Sequence, residues 1–437
     1  MKLHVRVTAA VLCLLWCPLP LLAQDKGKPL PFRTAIELAL RNSAGSGLSR
    51  ADLERVRATV SQTRNLYLPQ VSVGSALGYS HGFPLTLEGS APSLFNVNIQ
   101  GLLINAAQRD YLKAAKSDAE GTAAQNAERR SNVIMETALA YIQLDLLDSS
   151  LSVHSEQQAA AAKYQDIITQ RVQAGLDSQT ELTRAKLAVA RTRLQIAQTQ
   201  SAGDQLRYRL AQLTGLPVDA IRTSTETIPP LPAVSQDENL AAQAAEKDAS
   251  VKAAQETARA KEFRAAAERK QLYPTVDLAG QYALLARYNN YDQFFKTFER
   301  NNLSIGVVIR FPIFSATQRA AAEAARADAS KAREEARSVK EQVSVETLKM
   351  QRSVQQLSAA RDVALLEHQL AQADIEAAQA KIESGTASIK DEQNARLAEH
   401  QHYAAYLNST FDLDKAQVQL LRQTGQLEGW ALGPAQH

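Results

Sequence analysis

The chain is 437 residues long, 45% hydrophobic and only 5% aromatic, and it carries a formal net charge of +3 at pH 7. This composition can bury a large apolar surface, and its shortage of aromatic residues is typical of long, closely packed helices rather than of a compact enzyme with an aromatic-lined pocket. The small net charge and the lack of a basic cluster in the sequence give no electrostatic basis for nucleic-acid binding.

Residues 1–23 have the pattern of a cleaved secretory signal, in which Lys2 and Arg6 precede a short apolar core. The alternative of a membrane anchor is disfavoured because the core is too short to span a bilayer and is interrupted by prolines. A lipid-modified Cys17 is a second alternative, disfavoured because Trp16 stands where a small residue is needed. Both cysteines lie in this segment, so the mature chain is expected to have no disulfide and no thiolate chemistry.

The first predicted helix covers Arg33–Leu66, with a break near Gly45–Gly47, and a helix of similar length is predicted over Glu238–Leu272. Pro69 and Pro274 follow these helices, and proline ends a helix because it lacks the N–H and clashes with the preceding turn. The two prolines are 205 residues apart, which is a first sign that the chain repeats itself.

Four runs of about nine residues alternate apolar and polar side chains with the period of a β-strand. About nine residues is the length with which a tilted strand crosses a bilayer, although the alternation by itself fits a soluble sheet with one wet face equally well. Four strands cannot close a barrel that holds water, so a membrane location requires several copies. The runs are Val71–Tyr79, Phe95–Leu103, Val276–Leu284 and Leu303–Phe311.

Irregular segments separate these elements. Ser80–Leu94 and Ala286–Asn302 lie between paired strands and are rich in glycine, proline or asparagine, which predicts exposed loops. A linker with four prolines is predicted at 217–237, and the tail at 426–437 is predicted to be poorly ordered.

Two further helices are predicted to be far longer than the ~11–12 residues of an average helix. Ala106–Ala174 contains one glycine and no proline, and Ser315–Ser384 contains neither. Such helices need partners along their whole length. The partners are Gln179–Leu213 and Ile389–Gln423, in which hydrophobic residues recur every seven positions and predict supercoiled packing.

A shift of 210 residues superimposes several landmarks of the two halves. We therefore predict two structural repeats, 24–216 and 238–425, joined by the linker. The superimposed pairs are Gln108-Arg109 with Gln318-Arg319, Arg171–Gly175 with Lys381–Gly385, and Thr214-Gly215 with Thr424-Gly425.

These features, taken in order, resemble the TolC family of outer-membrane efflux proteins over nearly all of the chain after the signal. Each motif is weak alone, whereas their order, doubling and spacing are specific. The motifs are Ala35–Asn42, Leu68–Val71, Tyr273–Val276, Phe311–Phe314 and the glycines Gly175 and Gly385 at the predicted hairpin tips.

The resemblance implies a mainly α fold with a β-barrel portion. Each copy of a homotrimer would give four transmembrane strands to a shared 12-stranded barrel in outer-membrane lipid, and its coiled-coil hairpins to a trimeric α-barrel in the periplasm. The implied function is that of the channel subunit of a tripartite efflux or type I secretion system. Substrates would pass from an inner-membrane pump and a periplasmic adaptor protein to the exterior.

The resemblance also implies candidate site residues at the periplasmic tip. Family members narrow the tunnel with acids just after the second tip glycine, and Asp391 matches the first such position, while the second is Asn394. Glu392 could substitute, although it points about 100° away on a helix. Ala387 stands where some members have a basic latch residue. The alternative role of the two acids is to favour a helix N-terminus.

The two tips resemble the surface on which the family docks its adaptor, by shape and hydrogen bonds rather than by chemistry. The candidate docking residues are Arg171, Gly175, Leu176, Asp177, Lys381, Gly385, Thr386 and Ser388.

The sequence shows no pattern of catalytic residues, and it predicts no enzyme, cofactor or metal site. His400 and His402 are two residues apart and face different ways on a helix, whereas helical metal ligands are usually spaced i, i+4. The competing hypothesis for the whole chain is a soluble periplasmic coiled-coil adaptor or tether. The four alternating runs, one pair in each half of the chain, favour the channel because an adaptor has no need of them.

Overall fold

The computed structural model describes residues 29–76, 93–232, 239–285, 299–386 and 388–433. The predicted signal, most of the two predicted strand-connecting loops and Ala387 lie outside these residues. Of the described residues of those loops, Glu299 and Arg300 are irregular, whereas Ser93 and Leu94 open one strand and Asn301 and Asn302 open another. Asparagine alone was therefore not a turn signal at this place.

The described chain forms nine α-helices and four strands. The helices are α1 Phe32–Asn42, α2 Ala44–Asn65, α3 Ala106–Gln173, α4 Gln179–Thr214, α5 Leu240–Lys247, α6 Ala249–Lys270, α7 Ala316–Glu383, α8 Ile389–Gln423 and α9 Leu427–Leu432. The strands are β1 Gln70–Ala76, β2 Ser93–Ile104, β3 Thr275–Leu285 and β4 Asn301–Arg310. The mainly helical fold with a small antiparallel sheet is thus confirmed.

The long helices form two hairpins, α3 with α4 and α7 with α8, and α6 packs against both α3 and α7. Both α3 and α7 have 68 residues, which corresponds to about 100 Å. Their N-caps are equivalent, since Asn105 Oδ1 accepts from Gln108 N at 3.0 Å and Ser315 Oγ accepts from Gln318 N at 3.1 Å. No helix in the described residues is both long enough and apolar enough to cross a membrane.

The first helix of each half is interrupted where a side chain caps a new helix. Ser43 accepts a hydrogen bond from the Ser46 N–H and separates α1 from α2, so the break precedes the predicted Gly45–Gly47, which lies inside α2. The single helix predicted over Glu238–Leu272 is wrong, because Asp248 separates α5 from α6. The Asp248 carboxylate accepts from two backbone N–H groups of the following turn, at 2.8 and 3.2 Å.

The largest core surrounds the first described residues. Phe32 is fully buried, and its ring centroid lies 5.3 Å from that of Tyr141 and 5.4 Å from that of Trp430. The Tyr141 hydroxyl donates to the Leu30 carbonyl at 2.6 Å and accepts from the Ser224 N–H at 2.9 Å, and the second bond fastens the linker to α3.

The prediction of a poorly ordered tail is wrong for residues 427–432, which form α9. Leu427, Trp430 and Ala431 lie on one face of this short helix, and Leu427 is 1% exposed because that face packs on the core. Glu428 faces outward and lies 2.7 Å from an Arg130 guanidinium nitrogen. Residues 434–437 of the predicted tail lie outside the described residues.

Candidate functional site

The four strands form one antiparallel sheet in the order β1-β2-β3-β4. The β2–β3 pair joins the two halves of the chain, and from Phe95 to Leu102 its register continues the alternation of each strand across the sheet. Outside this stretch the register shifts, between Ser93 and Phe95 and between Leu102 and Ile104. One apolar row is Val73, Val97, Tyr282 and Leu303, and the adjacent polar row on the other face is Ser72, Asn98, Gln281 and Ser304.

The apolar face of this sheet is uncovered. Ile305 is 74% exposed and Leu303 68%, and Val71 and Val73 on the opposite edge strand are more than 60% exposed. Within the described residues, β1 and β4 each pair on one side only, so the sheet has two free edges. A broad exposed apolar surface marks a contact with a membrane or another protein, and free edges are sites for pairing with another strand.

The far ends of the two hairpins are turns of the same geometry. Gly175 has a φ of 75°, which glycine adopts without the steric cost of a side chain. Leu176 N donates to Arg171 O at 2.8 Å and Gly175 N donates to Val172 O at 3.0 Å, which is a Schellman C-cap. The second tip has the same φ at Gly385, and its bonds run from Thr386 N to Lys381 O at 2.8 Å and from Gly385 N to Ile382 O at 2.9 Å.

Charges hold the two tips in place. Arg171 Nε lies 2.6 Å from Asp177 Oδ2, and this carboxylate raises the pKa of Arg171. Lys390 Nζ lies 3.4 Å from Glu181 Oε1, so the start of α8 is next to the start of α4. Leu176 is 67% exposed beside these groups. The structure thus places the candidate docking residues of both hairpins on neighbouring exposed turns.

The candidate aperture acids are bonded within their own hairpin. Asp391 Oδ2 accepts from Ser388 N at 2.9 Å and from Ser388 Oγ at 2.8 Å, and these bonds lower the pKa of Asp391. Glu392 Oε1 accepts from Arg396 at 2.7 Å and from Gln379 at 3.3 Å, and Arg396 lowers the pKa of Glu392. Asp391 completes a capping box at the start of α8, which supports its helix-start role.

Asn394, the second candidate aperture position, is exposed on α8. A role of Asp391, Glu392 and Asn394 in narrowing a tunnel stays a prediction, because it concerns how several copies meet.

The sequence did not predict a polar cluster in the α7–α8 hairpin that consists of His368, Glu399 and His400. His368 Nε2 on α7 lies 3.0 Å from Glu399 Oε1 on α8, and His400 Nδ1 lies 2.8 Å from Glu399 Oε2 without the angle of a hydrogen bond. Burial lowers the pKa of His400. His402 turns instead to Glu367 at 3.3 Å, so the two histidines do face different groups. In the described residues, no three His, Cys, Asp or Glu side chains are arranged to hold a metal ion.

Asp414 of α8 has the largest pKa change in the described α7–α8 hairpin: burial raises it to about 6, against the smaller opposing effect of Arg361. The folded protein therefore favours the neutral acid. The destabilisation is fully present above pH 6 and disappears as the pH falls towards the ordinary value of 3.8. We expect Asp414→Asn to increase the free energy of unfolding at pH 8 by about 1–2 kcal/mol. This is less than the raised pKa of Asp414 would give in full, because the carboxyl is partly screened by solvent.

Urea denaturation of the purified protein at pH 5 and pH 8 tests this expectation. Asp412→Asn is the matched control, since Asp412 lies two residues away and is exposed. A gain for Asp414→Asn that is no larger at pH 8 than at pH 5 would contradict the assignment.

The model of the outer membrane efflux protein family matches residues 35–216 and 240–426. The chain belongs to this family. The resemblance to TolC proteins is thereby confirmed, and the unmatched stretch between the two matched segments covers the predicted linker.

Among curated proteins, this family member is similar to Protein CyaE of Bordetella pertussis, with 27% identity over 308 residues. The alignment covers 68% of this chain and 62% of CyaE, so the chain spans about three fifths of the length of that relative.

Solved structures of similar fold include two bacterial outer-membrane proteins. VceC of Vibrio cholerae has a TM-score of 0.71 and 20% identity, over 89% of this chain and 95% of VceC. The CmeC outer membrane channel of Campylobacter jejuni has a TM-score of 0.76 and 16% identity, over 91% of this chain and 86% of CmeC. At these identities the likeness shows that the efflux-family fold is shared.

Proposed function

We propose that this chain is the subunit of an outer-membrane channel in which three copies close their sheets into one barrel and their helices into a periplasmic tunnel. The observation that carries the proposal is the open sheet with an uncovered apolar face and two free edges. In lipid, free backbone groups at a sheet edge have no water to bond, so strands must close into a ring. Four strands from each of three copies make a ring wide enough to hold water.

The helices offer a surface for neighbouring copies. On α4, Leu187, Leu194 and Tyr208 are each about half exposed or more and are spaced at multiples of seven residues. On α7, Leu366 and Leu370 are 64% and 65% exposed. A seven-residue repeat of uncovered apolar side chains favours supercoiled contacts with another helix. This supports an α-barrel built from the hairpins of several copies.

The duplication supports the same architecture. Equivalent N-caps at Asn105 and Ser315 and equivalent turns at Gly175 and Gly385 divide the chain into two halves with one order of elements. We infer that 24–216 and 238–425 are structural repeats. Each would contribute one strand pair and one hairpin to the channel, so a trimer would present six similar units around its axis.

The tips would dock a periplasmic adaptor that connects the channel to an inner-membrane pump, in efflux or in type I secretion. Their exposed turns offer backbone and side-chain groups rather than reactive chemistry, which fits a docking role. Export by the predicted signal 1–23 would place most of the chain in the periplasm. The alternative of a soluble adaptor or tether is disfavoured by the family match and by the uncovered face of the sheet.

Cross-linking between β1 of one copy and β4 of the next tests the closed ring. Both cysteines of the chain lie in the predicted signal, so Val73→Cys and Ile305→Cys, in the middles of the two free edge strands, would be the only thiols of the mature protein. We expect a short bismaleimide to convert the double variant in outer-membrane extracts into covalent dimers and trimers on denaturing gels.

Each single-cysteine variant serves as a control and should remain monomeric on the same gel. A double variant that yields no trimer, or that forms a ladder continuing beyond it, would refute a closed ring of three copies.

A further inference from the structure

Four arginines stand at the four places where a helix meets the sheet. Arg64 and Arg269 are the next-to-last residues of α2 and α6, and Arg109 and Arg319 are the fourth residues of α3 and α7. Each therefore lies within about one helical turn of the helix end nearest the sheet. All four side chains are exposed.

Two glutamines fasten these arginine positions together in pairs. Gln108 Nε2 donates to the Thr63 carbonyl at 2.8 Å, and Gln318 Nε2 donates to the Glu268 carbonyl at 3.0 Å. Arg109 and Arg319 directly follow the two glutamines, and Arg64 and Arg269 directly follow the residues whose carbonyls accept these bonds. Each glutamine therefore links two helix ends that each carry an exposed arginine, and positive charges collected in this way favour the binding of an anion.

The acids near the four arginines form bonds with other side chains. The four junctions contain two acids, Asp110 and Glu268. Asp110 pairs with Lys270 at 2.6 Å, and Glu268 accepts from Tyr111 at 2.6 Å. In the described part of the chain, none of the four arginines forms an ion pair with an acid of the same copy. The junctions are residues 60–70, 104–113, 266–275 and 310–319.

An apolar collar borders these arginines on the side of the sheet. It consists of exposed side chains at the helix-side strand ends, among them Leu68 (57% exposed), Tyr273 (49%), Phe311 (65%), Ile313 (91%) and Phe314 (76%). The Arg319 guanidinium lies 5.6 Å from the centroid of the Phe314 ring. Apolar and aromatic side chains followed by arginines are the sequence of groups found where a membrane meets water.

We propose that the four arginines bind the phosphate groups of anionic phospholipids at the helix side of the sheet. This inference rests on the proposed function, since the collar meets lipid only when the sheet lies in a membrane. A guanidinium presents two parallel N–H groups to a phosphate, and basic residues next to an anionic membrane add favourable binding energy. The collar supplies the apolar surface for the acyl chains of the same lipids.

The test measures which lipids stay with the protein in nanodiscs of phosphatidylcholine that contain a minor share of phosphatidylglycerol. The protein is extracted and repurified in mild detergent, and its retained lipids are quantified by mass spectrometry. We expect the wild type to enrich phosphatidylglycerol about fivefold over the nanodisc ratio at low salt. The enrichment should fall to the nanodisc ratio when all four residues are changed, as Arg64→Gln, Arg109→Gln, Arg269→Gln and Arg319→Gln.

Two further variants separate specific binding from net charge and from folding. Changing four exposed arginines away from the junctions removes the same charge and should keep the enrichment; these are Arg50, Arg57, Arg191 and Arg193, each to Gln. Lysine at the four junction positions should keep most of it, because the positive charge remains.

Three outcomes would overturn the lipid proposal: a wild type at the nanodisc ratio, an unchanged enrichment in the junction Gln variant, or a junction variant altered only in the ion selectivity of the channel. The last outcome would place the arginines in the lumen. A wild type that never enters nanodiscs as a trimer would instead refute the proposed function, before any lipid is measured.

Discussion

Ile305→Arg is expected to prevent stable assembly of the protein in lipid. Ile305 lies in the middle of β4 on the uncovered apolar face of the sheet and is 74% exposed. An arginine on the lipid face of a membrane-spanning strand costs about 2–4 kcal/mol near the bilayer midplane, and a trimer would carry three of them. The measurement is the fraction of folded, heat-modifiable trimer formed in phospholipid vesicles over a series of urea concentrations.

Ser304→Arg is the matched control, because Ser304 is the preceding residue of the same strand and belongs to the polar row of the opposite face. A charge that faces water should change the free energy of unfolding by less than about 1 kcal/mol. Equal losses in the two variants would show that the apolar face does not contact lipid. A larger loss for Ser304→Arg would mean that the two faces are reversed.

Phe32→Ala is expected to lower the free energy of unfolding by about 3–5 kcal/mol, the usual cost of removing a buried aromatic ring. Phe32 is fully buried at the start of α1 and contacts Tyr141 of α3 and Trp430 of α9 edge to face. The cavity left by the ring would lie between α1, α3 and α9, so all three helices would lose packing contacts. Loss of the contact with Trp430 should also release α9, so the C-terminal segment should become sensitive to protease in the variant.

Urea denaturation of the solubilised protein measures the loss, and limited proteolysis followed by mass spectrometry locates the released segment. Leu48→Ala is the control, since Leu48 is 64% exposed on α2 and its truncation should change the stability by no more than about 0.5 kcal/mol. A Phe32→Ala protein as stable as the control would show that the N-terminal core does not hold the helices together.

Most of the long elements could be placed from local pattern. The predicted Ala106–Ala174 is observed as α3, Ala106–Gln173, and the predicted Ile389–Gln423 is observed as α8 with the same bounds. The period of apolar side chains, a capping residue at the start and a glycine with positive φ at the end all act within a few residues of chain. Such signals are readable without knowledge of the fold.

The breaks in the first helices were harder to read. Asp248 interrupts a run with helical composition and no glycine or proline, so nothing local distinguished it from an exposed helical residue. The break was predicted at Gly45–Gly47 because glycine disfavours a helix, whereas it is observed at Ser43 and both glycines lie inside α2. A capping side chain competes with helix continuation by a small energy, and the surrounding tertiary contacts decide the outcome.

The partners of side chains that contact distant segments of the chain could not be read from the sequence. Trp430 was assigned to a poorly ordered tail because nothing near it in the chain shows that Phe32 will supply its packing surface. The pairing of Gln379 with Glu392 and of His368 with Glu399 likewise depends on how α7 and α8 are aligned. Contacts between segments far apart in the chain leave no periodic signal.

The sheet shows most clearly which features the sequence determines and which depend on the tertiary structure. Alternation identifies which residues of one strand share a side, and it did so correctly for Val71, Val73, Leu303 and Ile305. Only the pairing of β2 with β3 brings the apolar sides of both halves to the same face, with Val97 opposite Tyr282. A shift of one residue in that pairing would turn half of the apolar side chains to the other face, because side chains alternate with a period of two.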